Sequence, residues 1–321
     1  MDEEHLVAIS LLKNVGELHS LPDVARRLLE MTRLDDYEMR EVAKCLEHDP
    51  ALAAKVLLIA NSAQFALHRP AASVQRAVAL LGRRSLRLAA LTFGLIGSLT
   101  DGLAKQLVDQ FWRRAVLMAI AAKKLAGLAG DADPYDCYTA ALLADLGVLA
   151  LAQTFGEEYA RLNERQTCHE QRVNEERRQF GCGHPALAAC LLARWNLPGE
   201  LVEAVGRHHV APSGGGGLPN VVQHANLLAE VLLLPVSAEF VLALHCQLKQ
   251  RYSLDLDGFI DLCRAVQGEL QAEWQAYSVA PVATADCCKL LDAARSQYQL
   301  AAFDAALDLD SLIEPFEVQR P

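Results

Sequence analysis

The residues best equipped for chemistry in this chain are one acid and three histidines. Asp145 lies inside the apolar run Ala140-Ala141-Leu142-Leu143-Ala144-Asp145-Leu146-Gly147, where a carboxylate is costly unless something pairs with it. His184 follows Gly181-Cys182-Gly183 at what reads as a helix start, and Arg207-His208-His209 closes the helix that follows Leu197-Pro198. Side chains of these types form a metal-ligating set when a helical bundle brings them together. The competing outcome is a polar network in which Asp145 satisfies a histidine or the guanidinium of Arg114, since buried polar groups need partners. Spacing alone leaves both open.

Other chemistry is more readily set aside. Arg83, Arg84 and Arg87 follow Gly82. Arg83 and Arg87, four residues apart, share a helix face that could hold an anion or an acidic partner. A solvated helix edge explains them as well. Cys182 stands two residues before His184, but thiol catalysis also needs an orienting group and an exposed electropositive site. Gly214 to Gly217 is not a phosphate-binding loop, because no Gly-Lys-Ser/Thr follows it. No Gly-x-Ser-x-Gly elbow occurs. Arg161 to Arg178 carries nine charges of both signs and reads as a solvated outer face.

The elements that must position these residues are helices. Apolar residues recur at three-and-four spacing, and Ala and Leu, both helix formers, dominate. Pro22 and Asp49-Pro50 mark helix starts, with proline in the first turn. Ser73 is placed to cap a short helix that Gly82 ends. The spacing predicts further helices at about 38–47, 83–97, 103–128, 134–151, 155–179, 184–195, 198–209, 219–233, 237–249, 255–276 and 284–307. Gly130 to Pro134 reads as a turn between helices. Ala211-Pro212-Ser213 with the glycines after it reads as a flexible loop.

Composition limits the function classes. Hydrophobic residues make up 52% and charged ones 22%, too apolar for a disordered chain. With 30 Lys+Arg against 40 Asp+Glu the net charge is −10, which disfavours a protein whose main task is gripping phosphate backbones. Leu88 to Thr100 is uncharged but spans only thirteen residues, whereas a membrane span needs about 20. The start MDEEHLVAIS is acidic, where a secretory signal needs a basic segment and an apolar core. A cytoplasmic location is therefore expected. The nine cysteines include no Cys-x-x-Cys pair, which suits reduced thiols better than a disulfide framework or structural zinc.

Taken in order, several of these segments resemble the HDOD domain family. They are Leu21-Pro22-Asp23-Val24-Ala25, His48-Asp49-Pro50-Ala51-Leu52, Ala60-Asn61-Ser62-Ala63 and Arg76-Ala77-Val78 with Leu80-Leu81-Gly82. Asp145-Leu146-Gly147, Phe180-Gly181 with His184, Trp195-Asn196-Leu197-Pro198 and His208-His209 continue the series. The match runs from about 15 to 230. The resemblance implies an all-α, compact multi-helix bundle related to the HD phosphohydrolases, found in bacterial signalling proteins to which no catalytic activity is generally assigned. An active HD site needs its His-Asp pair to ligate the metals that activate water. Here Ala144 stands at the histidine position, Arg114 at an earlier histidine position and Asn226 at the closing aspartate position. Asp145, His184, His208 and His209 remain as remnants of a degenerate site.

The resulting expectations are concrete. A lead-in helix at 1–14 precedes an HDOD domain at 15–235, with subdomains at about 15–100 and 103–235, and a helical C-terminal extension covers 236–321. The protein is expected to be a non-catalytic signalling module acting through a protein partner, with no cofactor, no metal and no catalytic residue. Self-association stays open. The alternatives are a residual metal-dependent phosphohydrolase and a nucleotide- or anion-sensing module.

Overall fold

The computed structural model describes residues 3–14, 39–47, 56–57, 60, 73–82, 99–100, 102–164, 169–195, 197–212, 215–276, 279–286 and 289. The helix starts expected at Pro22 and Asp49, the helix at 83–97 with Arg83, Arg84 and Arg87, and most of the helix at 284–307 lie outside the described residues. Among those described, the chain is helical and contains no strand.

The N-terminal elements are α1 (Glu3–Asn14) and α2 (Met39–Glu47). The centre is built from α3 (Lys105–Ala129), α4 (Pro134–Leu143), α5 (Leu146–Phe155), α6 (Glu157–Asn163), α7 (His169–Phe180), α8 (His184–Arg194), α9 (Gly199–Gly206) and α10 (Gly217–Leu233). Two further helices, α11 (Ala238–Tyr252) and α12 (Leu256–Ala276), follow. The long α3 is the axis: α4, α10, α11 and α12 all pack against it, while α8 lies across α5, α9 and α1. The core is continuous, with Met118, Ile120, Tyr138, Tyr159 and Phe259 fully enclosed.

Local chemistry sets the corners. Gly130 ends α3 at φ 73°, in the left-handed region that favours glycine. Asp133 then caps α4, its Oδ1 accepting from the backbone N–H groups of Tyr135 at 2.9 Å and Asp136 at 3.2 Å, with Pro134 in the first turn. Ser73 Oγ accepts from the Arg76 amide at 3.3 Å at the start of the short helix ending at Gly82.

Two helices expected to be continuous are broken. The stretch 134–151 divides at Ala144-Asp145, in a segment buried on every side that encloses the Asp145 carboxylate as well. The stretch 155–179 divides into α6 and α7. Pro134–Phe155 is long and apolar enough to cross a membrane, yet 78% of its most apolar window is buried inside the protein. It is the core of the bundle.

The C-terminal helices are integral to that bundle. Trp274 Nε1 of α12 donates to the Arg113 carbonyl at 3.3 Å, and Arg113 Nε donates to the Ala280 carbonyl at 2.9 Å. The Ala285 amide donates to the Leu232 carbonyl of α10 at 2.9 Å. Asp131 accepts from Arg251 of α11 and, at 3.0 Å, from the Gly217 amide.

Candidate functional site

The four residues singled out by type and spacing meet in space. One ligand atom from each of Asp145, His184, His208 and His209 lies within 4.8 Å of all the others. All four come from helix ends. Asp145 occupies the α4–α5 junction, His184 opens α8, and His208 and His209 stand just beyond the C-terminus of α9. Asp145, His184 and His208 are buried, and His209 is half-buried.

Glycine makes this convergence sterically feasible. A Cβ at Gly147 would fall 2.0 Å from the carbonyl oxygen of His184. Only a residue with no side chain lets the first turn of α5 approach the start of α8 so closely. Asp145, two residues before Gly147, is brought opposite His184 by this contact between the Gly147 and His184 backbones.

Arg114 and Asn226 come from the interiors of α3 and α10. Arg114 Nε donates to Asp145 Oδ2 at 2.7 Å, and Arg114 Nη2 donates to Asn226 Oδ1. Asn226 Nδ2 lies 3.4 Å from His209 Nδ1. Ala144 is fully buried and offers no donor. Arg114 Nη1 is buried without a hydrogen-bond partner.

An outer layer orients the histidines. Glu176 Oε2 lies 2.7 Å from His184 Nδ1 and accepts from the His184 backbone N–H at 2.7 Å. It therefore caps α8, whose N-cap Gly183 has no side chain to do so. Tyr159 Oη donates to Glu176 Oε1 at 2.7 Å. His208 Nδ1 lies 2.6 Å from the Val205 carbonyl, and Gln223 Nε2 donates to the Arg207 carbonyl at 3.1 Å, pinning the turn that carries both histidines. From α1, Glu4 Oε1 accepts from the Gly183 amide and from Arg177 Nε, each at 2.9 Å.

Glu176 overturns one expectation. The charge-rich stretch 161–178 is not solvated throughout, because Val173, Glu176 and Phe180 form a buried face of α7. The signal was their helical spacing around a single acid, hidden in a segment of high overall polarity.

The electrostatics follow from burial and partners. Burial alone would raise the Asp145 carboxyl, but the Arg114 guanidinium, with His184 and His208, holds it well below the usual carboxylate range. Burial opposes charge on His184, yet Glu176 and Asp145 outweigh it and lift the imidazole to about 9. For His208 burial prevails over Asp145, and its affinity for a proton falls. Cys182 is no nucleophile: burial first, then Glu4 and Glu176, push the thiol up to about 12.

The residues fit one metal ion and not two. One side of Asp145 faces three imidazoles, a donor set suited to zinc and its neighbours. The other side faces a guanidinium, which repels a metal ion, and Ala144 and the Arg114-bound Asn226 supply no anionic ligand there.

An all-helical bundle that gathers an aspartate and histidines from helix ends defines an HD-like helical protein. A model of the HDOD domain matches residues 3–211, and the chain belongs to the HDOD domain family. An uncharacterised protein of Treponema pallidum (strain Nichols) is 28% identical over 214 residues, covering 64% of this chain and 40% of that protein. The chain thus corresponds to about two fifths of that relative's length. Among solved structures, an HDOD domain protein of Geobacter sulfurreducens is 23% identical, with 85% of this chain and 98% of that one covered, at a TM-score of 0.65. A protein of Shewanella amazonensis SB2B, provisionally assigned as a phosphohydrolase, is 22% identical, with 84% and 98% covered, at 0.65. A protein of Marinobacter aquaeolei VT8, provisionally assigned to signal transduction, is 23% identical, with 86% and 66% covered, at 0.63. At these identities the likeness is one of fold.

Proposed function

We propose that this HDOD protein is a non-catalytic signal-transduction module of the cytoplasm that works by contact with another protein. The observation that carries this reading is the Arg114 guanidinium seated between Asp145 and Asn226. A two-metal phosphohydrolase needs cations on both sides of its bridging carboxylate to hold the attacking water and the leaving oxygen. Here a fixed side chain fills one side, where it can neither exchange nor activate water. What remains is a rigid bundle with its polar centre sealed, whose output must be read from its surface.

The test is hydrolysis of phosphodiesters by the full chain with added manganese, magnesium or zinc. No turnover above that of an Asp145→Ala control is expected. Turnover that the substitution abolishes would return the protein to the phosphohydrolases. Capture from the native cell, with the full chain as bait, then probes the contact. Because α11 and α12 pack on α3, a bait cut after Pro235 would expose core and mislead. Recovery of no specific protein removes the contact reading.

The unpartnered Arg114 Nη1 favours a second reading, an anion-sensing module. A nucleotide that binds only the folded state must raise the melting temperature. An unchanged melting temperature at millimolar nucleotide discards it.

A further inference from the structure

Two imidazole nitrogens converge on one carboxylate oxygen at the centre of the site. His208 Nε2 lies 3.2 Å and His184 Nε2 3.4 Å from Asp145 Oδ1. Both rings have their other nitrogen committed outward. His208 Nδ1 faces the Val205 carbonyl, which only accepts, so that nitrogen carries the proton. His184 Nδ1 faces Glu176 Oε2 and is assigned in the same way. Both Nε2 atoms then point at Oδ1, at 3.2 and 3.4 Å, from two different helix ends. A carboxylate oxygen met by two ring nitrogens in this way is a place for a shared cation, a proton or a metal ion. His184, wholly buried, leaves Nε2 without a hydrogen-bond partner while aiming it at Oδ1. His209 adds another nitrogen to the group.

We propose that the chain binds a single divalent transition-metal ion of the zinc class through Asp145, His184, His208 and His209, with the Arg114 guanidinium standing in for a second ion. This deepens the reading of the site as unable to assemble a metal pair. Zinc bonds of about 2.0–2.2 Å place neighbouring tetrahedral ligand atoms about 3.3–3.6 Å apart. The two contacts to Oδ1, at 3.2 and 3.4 Å, already approach that spacing. The outer partners are those a metal site uses: Glu176 behind one imidazole and a backbone carbonyl behind another fix each ring and raise its basicity. Arg114 holds Oδ2, which leaves Oδ1 alone for the ion. Four protein ligands also close the coordination sphere, as in structural zinc sites, with no position left for a reacting water.

The test uses the full chain, stripped with chelator, exposed to zinc or cobalt ions and dialysed exhaustively. One equivalent per chain is expected by elemental analysis, with the visible absorption of tetrahedral cobalt. Glu176→Gln, which keeps a hydrogen-bonding side chain at that position, should still bind one equivalent but about 10- to 100-fold more weakly. Retention of no metal by the wild type, or of two equivalents, overturns the proposal. So does unchanged affinity in both Glu176→Gln and His208→Ala, which would place the ion elsewhere on the surface. If those variants fail to fold, the stoichiometry and cobalt spectrum of the wild type decide. One bound ion without turnover supports both readings. One ion with Asp145-dependent turnover overturns only the non-catalytic reading, and absence of metal with absence of turnover overturns only this one.

Discussion

Helix α3 carries charge on two faces, and the two are treated in opposite ways. On one face Arg114 is buried against Asp145 and Asn226, with the side chains of Arg114 and Asp145 only 7% and 4% exposed. On the other, Lys124 pairs with Glu269 of α12 with side chains 24% and 42% exposed. Beside it, burial lowers the proton affinity of Lys123, while Glu269 and Glu273 pull it back. The first group sits where water cannot compensate a lost partner. The second is a seam where solvent can. Similar ion pairs on one helix therefore differ in what depends on them: the site is specified by its charges, and the seam is only decorated by them.

The largest effect should come from breaking the buried pair. Asp145→Ala leaves the Arg114 guanidinium enclosed without its anion, which costs about 3–5 kcal/mol of stability. Urea unfolding would show it, and the double variant Arg114→Met/Asp145→Leu should recover most of the loss, because apolar replacement removes the stranded charge. A loss below about 1 kcal/mol in the single variant would erase the distinction between the two faces.

Next comes the backbone contact that aligns the site. Gly147→Ala would put a methyl group 2.0 Å from the His184 carbonyl oxygen, so α5 and α8 must separate. Overpacking of this kind costs about 3 kcal/mol. The contrast between the two faces is sharpened if the His184 and His208 imidazole resonances shift in this variant while those of His224 stay in place. Unaltered histidine resonances would mean that the helices can part without disturbing the site.

Both variants strike residues that differ in how openly the sequence displays their role. An acid in an Ala/Leu run announces itself, because a carboxylate buried among apolar neighbours is tolerated only when a partner meets it. The histidines followed by type and spacing, and the bundle followed from three-and-four periodicity. The break at Ala144-Asp145 did not, because local propensity in this Ala/Leu run favours a continuous helix and no glycine or proline marks the junction. Glu176 was hidden for the opposite reason: eight other charges between 161 and 178 masked one buried acid. The depth of α11 and α12 in the fold depends on contacts to residues more than a hundred positions away, such as Trp274 to Arg113, which no local pattern encodes.

A smaller effect separates the site from the α10–α11 contact by pH. His224 of α10 is buried, its Nδ1 2.9 Å from the Asn220 carbonyl and 3.2 Å from Tyr252 Oη of α11. Burial drives the imidazole down to about 4 from an ordinary 6.5. Since the folded protein takes up this proton less readily than the unfolded chain, stability is full above about 6.5 and declines as pH falls towards 4. A deficit of about 3 kcal/mol should develop across that window. Replacing His224 by Gln should flatten the stability profile there. A profile unchanged by the substitution would assign the acid sensitivity to other groups.

The smallest effect belongs to the seam itself. Lys124→Met retains the apolar stem on α3 and removes only the charge facing Glu269. Because Glu269 is 42% exposed, water re-solvates it once the ammonium is gone, and the pair was already screened in the wild type. The expected change is below about 1 kcal/mol, diminishing further in molar salt. A loss approaching that of Asp145→Ala would mean that Lys123, Lys124, Glu269 and Glu273 act as one desolvated network. In that case α12 would be held to α3 by the same physics that holds Arg114 to Asp145.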